Sequence, residues 1–102
     1  VTIMYGLFEY KNSFNSNIDF WDTSNVVNMN SMFRGATSFD KDIGNWDTSS
    51  LTTMSRMFDS ASSFNQDLSG WDVANVSSCS DFNSRASSWV LDKPDLIEGC
   101  IG

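Results

Sequence analysis

Aspartate recurs at one fixed interval in this chain, as Asp22, Asp47 and Asp72 and again as Asp42, Asp67 and Asp92. If successive intervals stack, equivalent carboxylates lie about 5 Å apart, the spacing of neighbouring strands, and they repel unless something compensates. Two chemistries would do so. Ca²⁺ takes oxygen ligands, which makes Asp22, Asp47 and Asp72 candidate donors. Alternatively, each carboxylate accepts backbone N–H bonds within its own turn. The dense Asp-Gly spacing of calcium-binding repeats is absent. Paired carboxylates can also cleave glycosides, but that chemistry needs one unique pair with split pKa values. These aspartates are repeat positions. The chain has no His and only two Cys, and it carries no Gly-rich phosphate loop. Nucleophilic and acid–base constellations are therefore missing, and the expectation is a protein with no catalytic residue and no cofactor. Trp21, Trp46 and Trp71 follow the same interval and leave two readings open, a sugar-stacking platform or a core column. Asn75-Val76-Ser77 is a lone glycosylation sequon, a tripeptide common by chance.

The elements that position these residues come from a repeat. Trp-Asp pairs begin at 21, 46 and 71, a spacing of 25. Residues 21–45 and 46–70 are identical at eleven of their 25 positions without a gap. Residues 71–95 start in the same register and then diverge, and residues 1–20 fit as a truncated unit. Within a unit, Leu51, Met54, Met57, Phe58 and Ala61 mark one face of a short helix, with Ser49 and Ser50 available as caps. The stretch from Phe64 to Trp71 has no helical period and reads as an extended segment with a turn. One short strand plus one short helix or turn per 25 residues predicts a repeat solenoid with a parallel strand ladder. Stacking would align Phe8, Phe33 and Phe58; Phe14, Phe39 and Phe64; Met29 and Met54; Ile18, Ile43 and Leu68; and the three tryptophans. These columns suffice for a continuous core.

Composition narrows the partners. Six basic against thirteen acidic residues give a net charge of −7 over 102 residues. This acidic balance argues against a nucleic acid or an anionic membrane as partner, because phosphate binding needs clustered Lys and Arg, and its spread over all units argues against an acidic patch aimed at one cationic partner. No apolar run approaches the roughly 20 residues of a membrane span.

The run Leu51-Thr52-Thr53-Met54-Ser55-Arg56-Met57-Phe58, followed by Phe64-Asn65-Gln66-Asp67-Leu68-Ser69-Gly70-Trp71-Asp72, resembles the BspA-like leucine-rich repeats of bacterial surface proteins. It is closest to the repeat of Mycoplasma surface lipoproteins. The resemblance covers essentially all of residues 1–102 and implies a leucine-rich-repeat-like solenoid as one domain, on the cell surface or outside the cell. It implies adhesion, with a protein or glycan as ligand, and no catalytic residues to transfer. Leu7 and Lys11 depart from the pattern, at positions where the later units carry Met and Ala. Residues 79–102 are similar to the family's C-terminal cap. In that secreted setting Cys79 and Cys100 form one disulfide, the alternative being two buried thiols. The start at Val1, in the middle of a unit, reads as the C-terminal piece of a longer array with an uncapped edge. A structural subunit of a filament, sheath or particle surface, packing on neighbouring copies through that edge, is therefore the rival to adhesion.

Overall fold

The computed structural model describes residues 2–97 and 99–100. The expectations that rest on Val1, and on residues 98, 101 and 102 of the cap, lie outside the described residues. Hydrogen bonds run between equivalent positions of successive units. The N–H groups of Met4, Gly6, Phe8 and Tyr10 donate to the carbonyls of Asn28, Asn30, Met32 and Arg34 at 2.7 to 2.9 Å. Met29, Ser31, Phe33 and Gly35 donate in the same way to Thr53, Ser55, Met57 and Asp59. Met54, Arg56, Phe58 and Ser60 then donate to Ser78, Ser80, Phe82 and Ser84. Isolated parallel bridges join Ile3 to Asn28, Asn28 to Thr53 and Thr53 to Ser78.

The short helix expected at Leu51 to Ala61 does not form, and no helix or extended strand occurs among the described residues. The chain instead makes consecutive tight turns. In the second unit Met32 N–H donates to Met29 C=O and Ala36 N–H to Phe33 C=O. The third residue of each turn is left-handed: φ is 58° at Ser31 and 68° at Gly35. A type II turn requires that. A helix would keep every φ negative and point every N–H along its axis. Here alternate N–H groups point sideways, into the next unit. The left-handed positions recur as Gly6, Ser31, Arg56, Asp81 and as Tyr10, Gly35, Ser60, Arg85.

The parallel bridges also lie elsewhere than the expected strand. They join Ile3, Asn28, Thr53 and Ser78, one residue per unit, and do not fall in the stretch from Phe64 to Trp71. In that stretch side chains supply most of the acceptors between units. Asp40 N–H donates to Asn15 Oδ1, Asn65 N–H to Asp40 Oδ1, and Val90 N–H to Asn65 Oδ1, at 2.8 to 2.9 Å. An Asn/Asp side chain in each unit thus accepts an N–H of the next, beside one direct backbone bond from Leu68 N–H to Asp92 C=O at 2.9 Å.

The apolar positions point inward. Met29, Met32, Phe33, Ala36, Phe39 and Ile43 are buried, as are Leu51, Met54, Met57, Phe58, Ala61, Phe64 and Leu68, and Ile18 joins them. Phe33 lies between Phe8 and Phe58 with ring centroids 5.7 and 5.3 Å away, and Phe39 lies between Phe14 and Phe64 at 5.4 and 5.7 Å. The two stacks touch inside each unit, Phe33 on Phe39 at 4.2 Å and Phe58 on Phe64 at 4.3 Å. Trp89 ends both stacks. It stands edge-on to Phe58 and Phe64, at 73° and 85°. Cys79 and Cys100 are joined by a disulfide across 21 residues, which ties the tail to this closed end.

Candidate functional site

Asp22 and Asp47 each close a local turn. Ser24 donates its N–H and its hydroxyl to Asp22 Oδ1 at 3.0 and 2.6 Å, and Ser49 repeats both bonds to Asp47. These bonds, the serine hydroxyl first and then the backbone N–H, hold both carboxyls below the usual Asp pKa. Ser69 does the same for Asp67. Asp72 and Asp42 accept N–H bonds from Ala74 and Gly44 in equivalent turns. The column is thus brought into line, and its lone pairs are engaged locally. No group of three or more potential ligands placed to hold a metal ion occurs among the described residues. The local turn is the geometry present at Asp22, Asp47 and Asp72.

Trp46 and Trp71 are almost wholly buried, with rings 6.3 Å apart and 11° from parallel. Their indole N–H groups donate to Ile18 and Ile43 C=O at 3.1 and 3.0 Å, so the polar edge of each ring is satisfied inside. They offer no face to a sugar. Trp21 is half-buried, and so are Phe8 and Phe14. Around them the first unit exposes Ile3, Tyr5, Leu7, Tyr10 and Phe20. A groove of about 550 Å³ is lined there by Ile3, Met4, Leu7, Phe20, Trp21 and Asp22. A second, about 640 Å³, runs over Leu7, Phe8 and Phe14.

The lateral surface is polar and tied down. Thr23 and Thr48 are buried, and their hydroxyls donate to Asp47 and Asp72 C=O in the next unit. Thr52 bonds Val27 C=O, and Ser55 meets Ser78 at 2.8 Å. Asn75 of the sequon is exposed, yet its side-chain amide donates to Ser49 C=O at 2.8 Å.

One cluster escaped the sequence reading. Asp59 is the one carboxylate buried among the described residues. Arg85 Nη2 reaches both its oxygens at 2.9 and 3.0 Å, and Arg34 Nε lies 3.2 Å from Oδ2. Arg34 also pairs with Glu9 at 3.6 Å and lies over the Tyr10 ring. The signal was available: Glu9, Arg34 and Asp59 share one repeat position and alternate in sign. The hydrogen bonds of Asp59 raise the Arg85 pKa, so that guanidinium stays charged. Both guanidiniums neutralise the one buried carboxylate, an arrangement that joins three units.

The repeat, its inter-unit bonding and the terminal disulfide define the class of chain. It belongs to the family described as Mycoplasma protein of unknown function, DUF285, whose model matches residues 1–95. No curated protein and no solved structure matches the chain.

Proposed function

We propose that this chain is a non-catalytic repeat module of a secreted or cell-surface protein, a solenoid of BspA-like leucine-rich-repeat type that binds a protein or glycan. The observation that carries the reading is the inter-unit bonding in constant register. Each unit spends its apolar side chains and alternate amides on its neighbours, which leaves a lateral surface of Ser, Thr and Asn held in fixed rows. Such surfaces suit extended binding. The shortest dimension of 20 Å fits four layers at about 4.8 Å plus side chains. The Cys79–Cys100 bond fits an oxidising compartment. No helix among the described residues is long and apolar enough to cross a membrane.

The exposed apolar first unit favours a second reading, in which the module is a structural subunit that packs on a neighbour through that edge. A panel of glycans and surface proteins, run beside light scattering on the isolated chain, separates the two. A monomer with a saturable ligand supports adhesion. Ordered polymers with no ligand support the structural role, and a monomer that binds nothing on the panel counts against both.

A further inference from the structure

The boundary between the last unit and the tail is closed differently from those before it. Thr23 and Thr48 are each 2% exposed, and their hydroxyls donate to carbonyls of the next unit, those of Asp47 and Asp72. Val73 holds the equivalent position and has no hydroxyl to give. Ile97 stands one period after Asp72, and its carbonyl accepts Cys100 N–H at 3.3 Å instead. Val26 and Leu51 are wholly buried, whereas Val76, in the same column, is half-buried. A groove of about 450 Å³ opens at this boundary, lined by Trp71, Asp72, Val73, Val76, Asp95 and Ile97. One side is the turn that follows Trp71, and the other is the tail that the Cys79–Cys100 bond ties down.

The lining combines two chemistries. Val73 and Val76 are half-buried and Ile97 is 58% exposed, so apolar surface is left uncovered. Asp72 comes from the turn and Asp95 from the tail, and both are exposed. Asp72 Oδ1 accepts Ala74 N–H at 3.0 Å. Asp95 makes no hydrogen bond among the described residues. Neither carboxylate has an ion-pair partner there. The neighbouring cation is engaged elsewhere: Lys93 Nζ donates to Trp89 C=O at 3.3 Å and lies over the Trp89 ring.

Charge complementarity selects the occupant. The −7 charge is spread along the stack and singles out no partner, but here two unpaired carboxylates meet apolar walls. A small inorganic cation would leave the walls bare, and an apolar side chain would leave the carboxylates unpaired. An arginine satisfies both. Its stem packs on apolar surface, and its planar guanidinium carries five N–H donors suited to carboxylates.

We infer that this groove, between the Trp71–Val76 turn and the disulfide-tied tail, is a binding site for an arginine side chain presented by a partner protein. This rests on the protein-binding reading above.

The test titrates the chain with the capped peptide acetyl-Ala-Arg-Ala-amide, followed by amide NMR. Saturable shifts should appear at Val73, Ala74, Val76, Asp95 and Ile97, and not around Asp22 or Asp47. Citrulline in place of the arginine keeps the shape and removes the charge, and it should weaken binding about tenfold or more. Asp72→Asn combined with Asp95→Asn should do the same. Asn at 72 can still accept the Ala74 N–H, and an unchanged spectrum away from the groove checks that the fold is kept. Asp22→Asn combined with Asp47→Asn should leave the affinity unaltered. Equal affinity for the citrulline peptide overturns the inference, as do a titration that never saturates and shifts spread evenly over the three Trp-Asp turns. The reading beneath is judged separately, on the panel of surface proteins. A protein held as tightly by the Asp72→Asn, Asp95→Asn variant as by the parent overturns the groove and leaves protein binding standing. Saturable arginine binding with no protein bound overturns the partner and leaves the groove.

Discussion

Removing the two guanidiniums around Asp59 should be strongly non-additive. The Asp59 side chain is 3% exposed, whereas those of Arg34 and Arg85 are 31% and 71% exposed. A solvent-exposed arginine in an ion pair is worth only about 0–1 kcal/mol, so losing one while the other remains should cost little. Arg85→Met leaves Arg34 Nε at 3.2 Å, and Arg34→Met leaves the bidentate contact from Arg85. Methionine keeps part of the packing stem and, at Arg85, the same left-handed backbone strain, so the comparison isolates charge. Each single variant should lose about 1 kcal/mol. The double variant strands a buried carboxylate, which costs about 3–5 kcal/mol. The coupling is then about 1–3 kcal/mol, within the range for residues sharing one partner. Urea denaturation of the wild type, both singles and the double closes the cycle. Adding Asp59→Leu to the double variant should restore most of the loss, because it removes the stranded charge. Additive losses with no rescue would refute the claim that the two arginines serve one buried charge.

The remaining predictions concern single positions and pH. Thr53 Oγ1 is buried without a hydrogen-bond partner, and Ile3 holds the equivalent position, so Thr53→Val should raise stability by about 1 kcal/mol in the same denaturation assay. Replacing Cys79 and Cys100 together by Ala should lower stability by about 3 kcal/mol, because the bond closes a loop spanning 21 residues; calorimetry would show a lower melting temperature. Ser60→Gly should be neutral or stabilising by up to about 1 kcal/mol, since its φ of 60° suits glycine. Gly35→Ala should destabilise, because the same left-handed backbone is combined there with a Cβ that would run into the Tyr10 ring. The carboxyls of Asp22, Asp47 and Asp67 titrate below the usual Asp range when folded. Groups with a depressed folded pKa stabilise above the unfolded pKa and stop doing so as pH falls through the folded one. A melting-temperature profile should therefore be flat from neutral down to about pH 4 and decline below it. Asn at all three positions should flatten the acid decline.

Much of the burial pattern was legible before any coordinates. Leu51, Met54, Met57, Phe58 and Ala61 share a face in the sequence and are all buried. The backbone that carries them was not legible. Two consecutive four-residue turns point positions i, i+3, i+4 and i+7 inward, the same spacing that one helical face gives. Glycine would have revealed the left-handed positions, but only Gly6 and Gly35 supply it, while Arg56, Ser60, Asp81 and Arg85 adopt the same conformation. The tryptophans looked equally fit for a core or a sugar platform. Burial of Trp46 and Trp71, with both indole N–H groups bonded to isoleucine carbonyls, decides for the core there. For the aspartate column the sequence left calcium beside the local turn, and the structure adds the Ser24 and Ser49 hydroxyls as local donors to Asp22 and Asp47.

The sequence by itself determined the unit length, the register and the membership of every apolar column, because a 25-residue period without gaps admits one alignment. It also carried both partners of the terminal disulfide. Only the tertiary structure decided where alternate amides point and which arginines meet at Asp59. Those properties belong to neighbouring units taken together. A hydrogen bond from Phe33 to Met57, or an ion pair from Arg85 to Asp59, has no trace in local spacing until the two turns lie against each other.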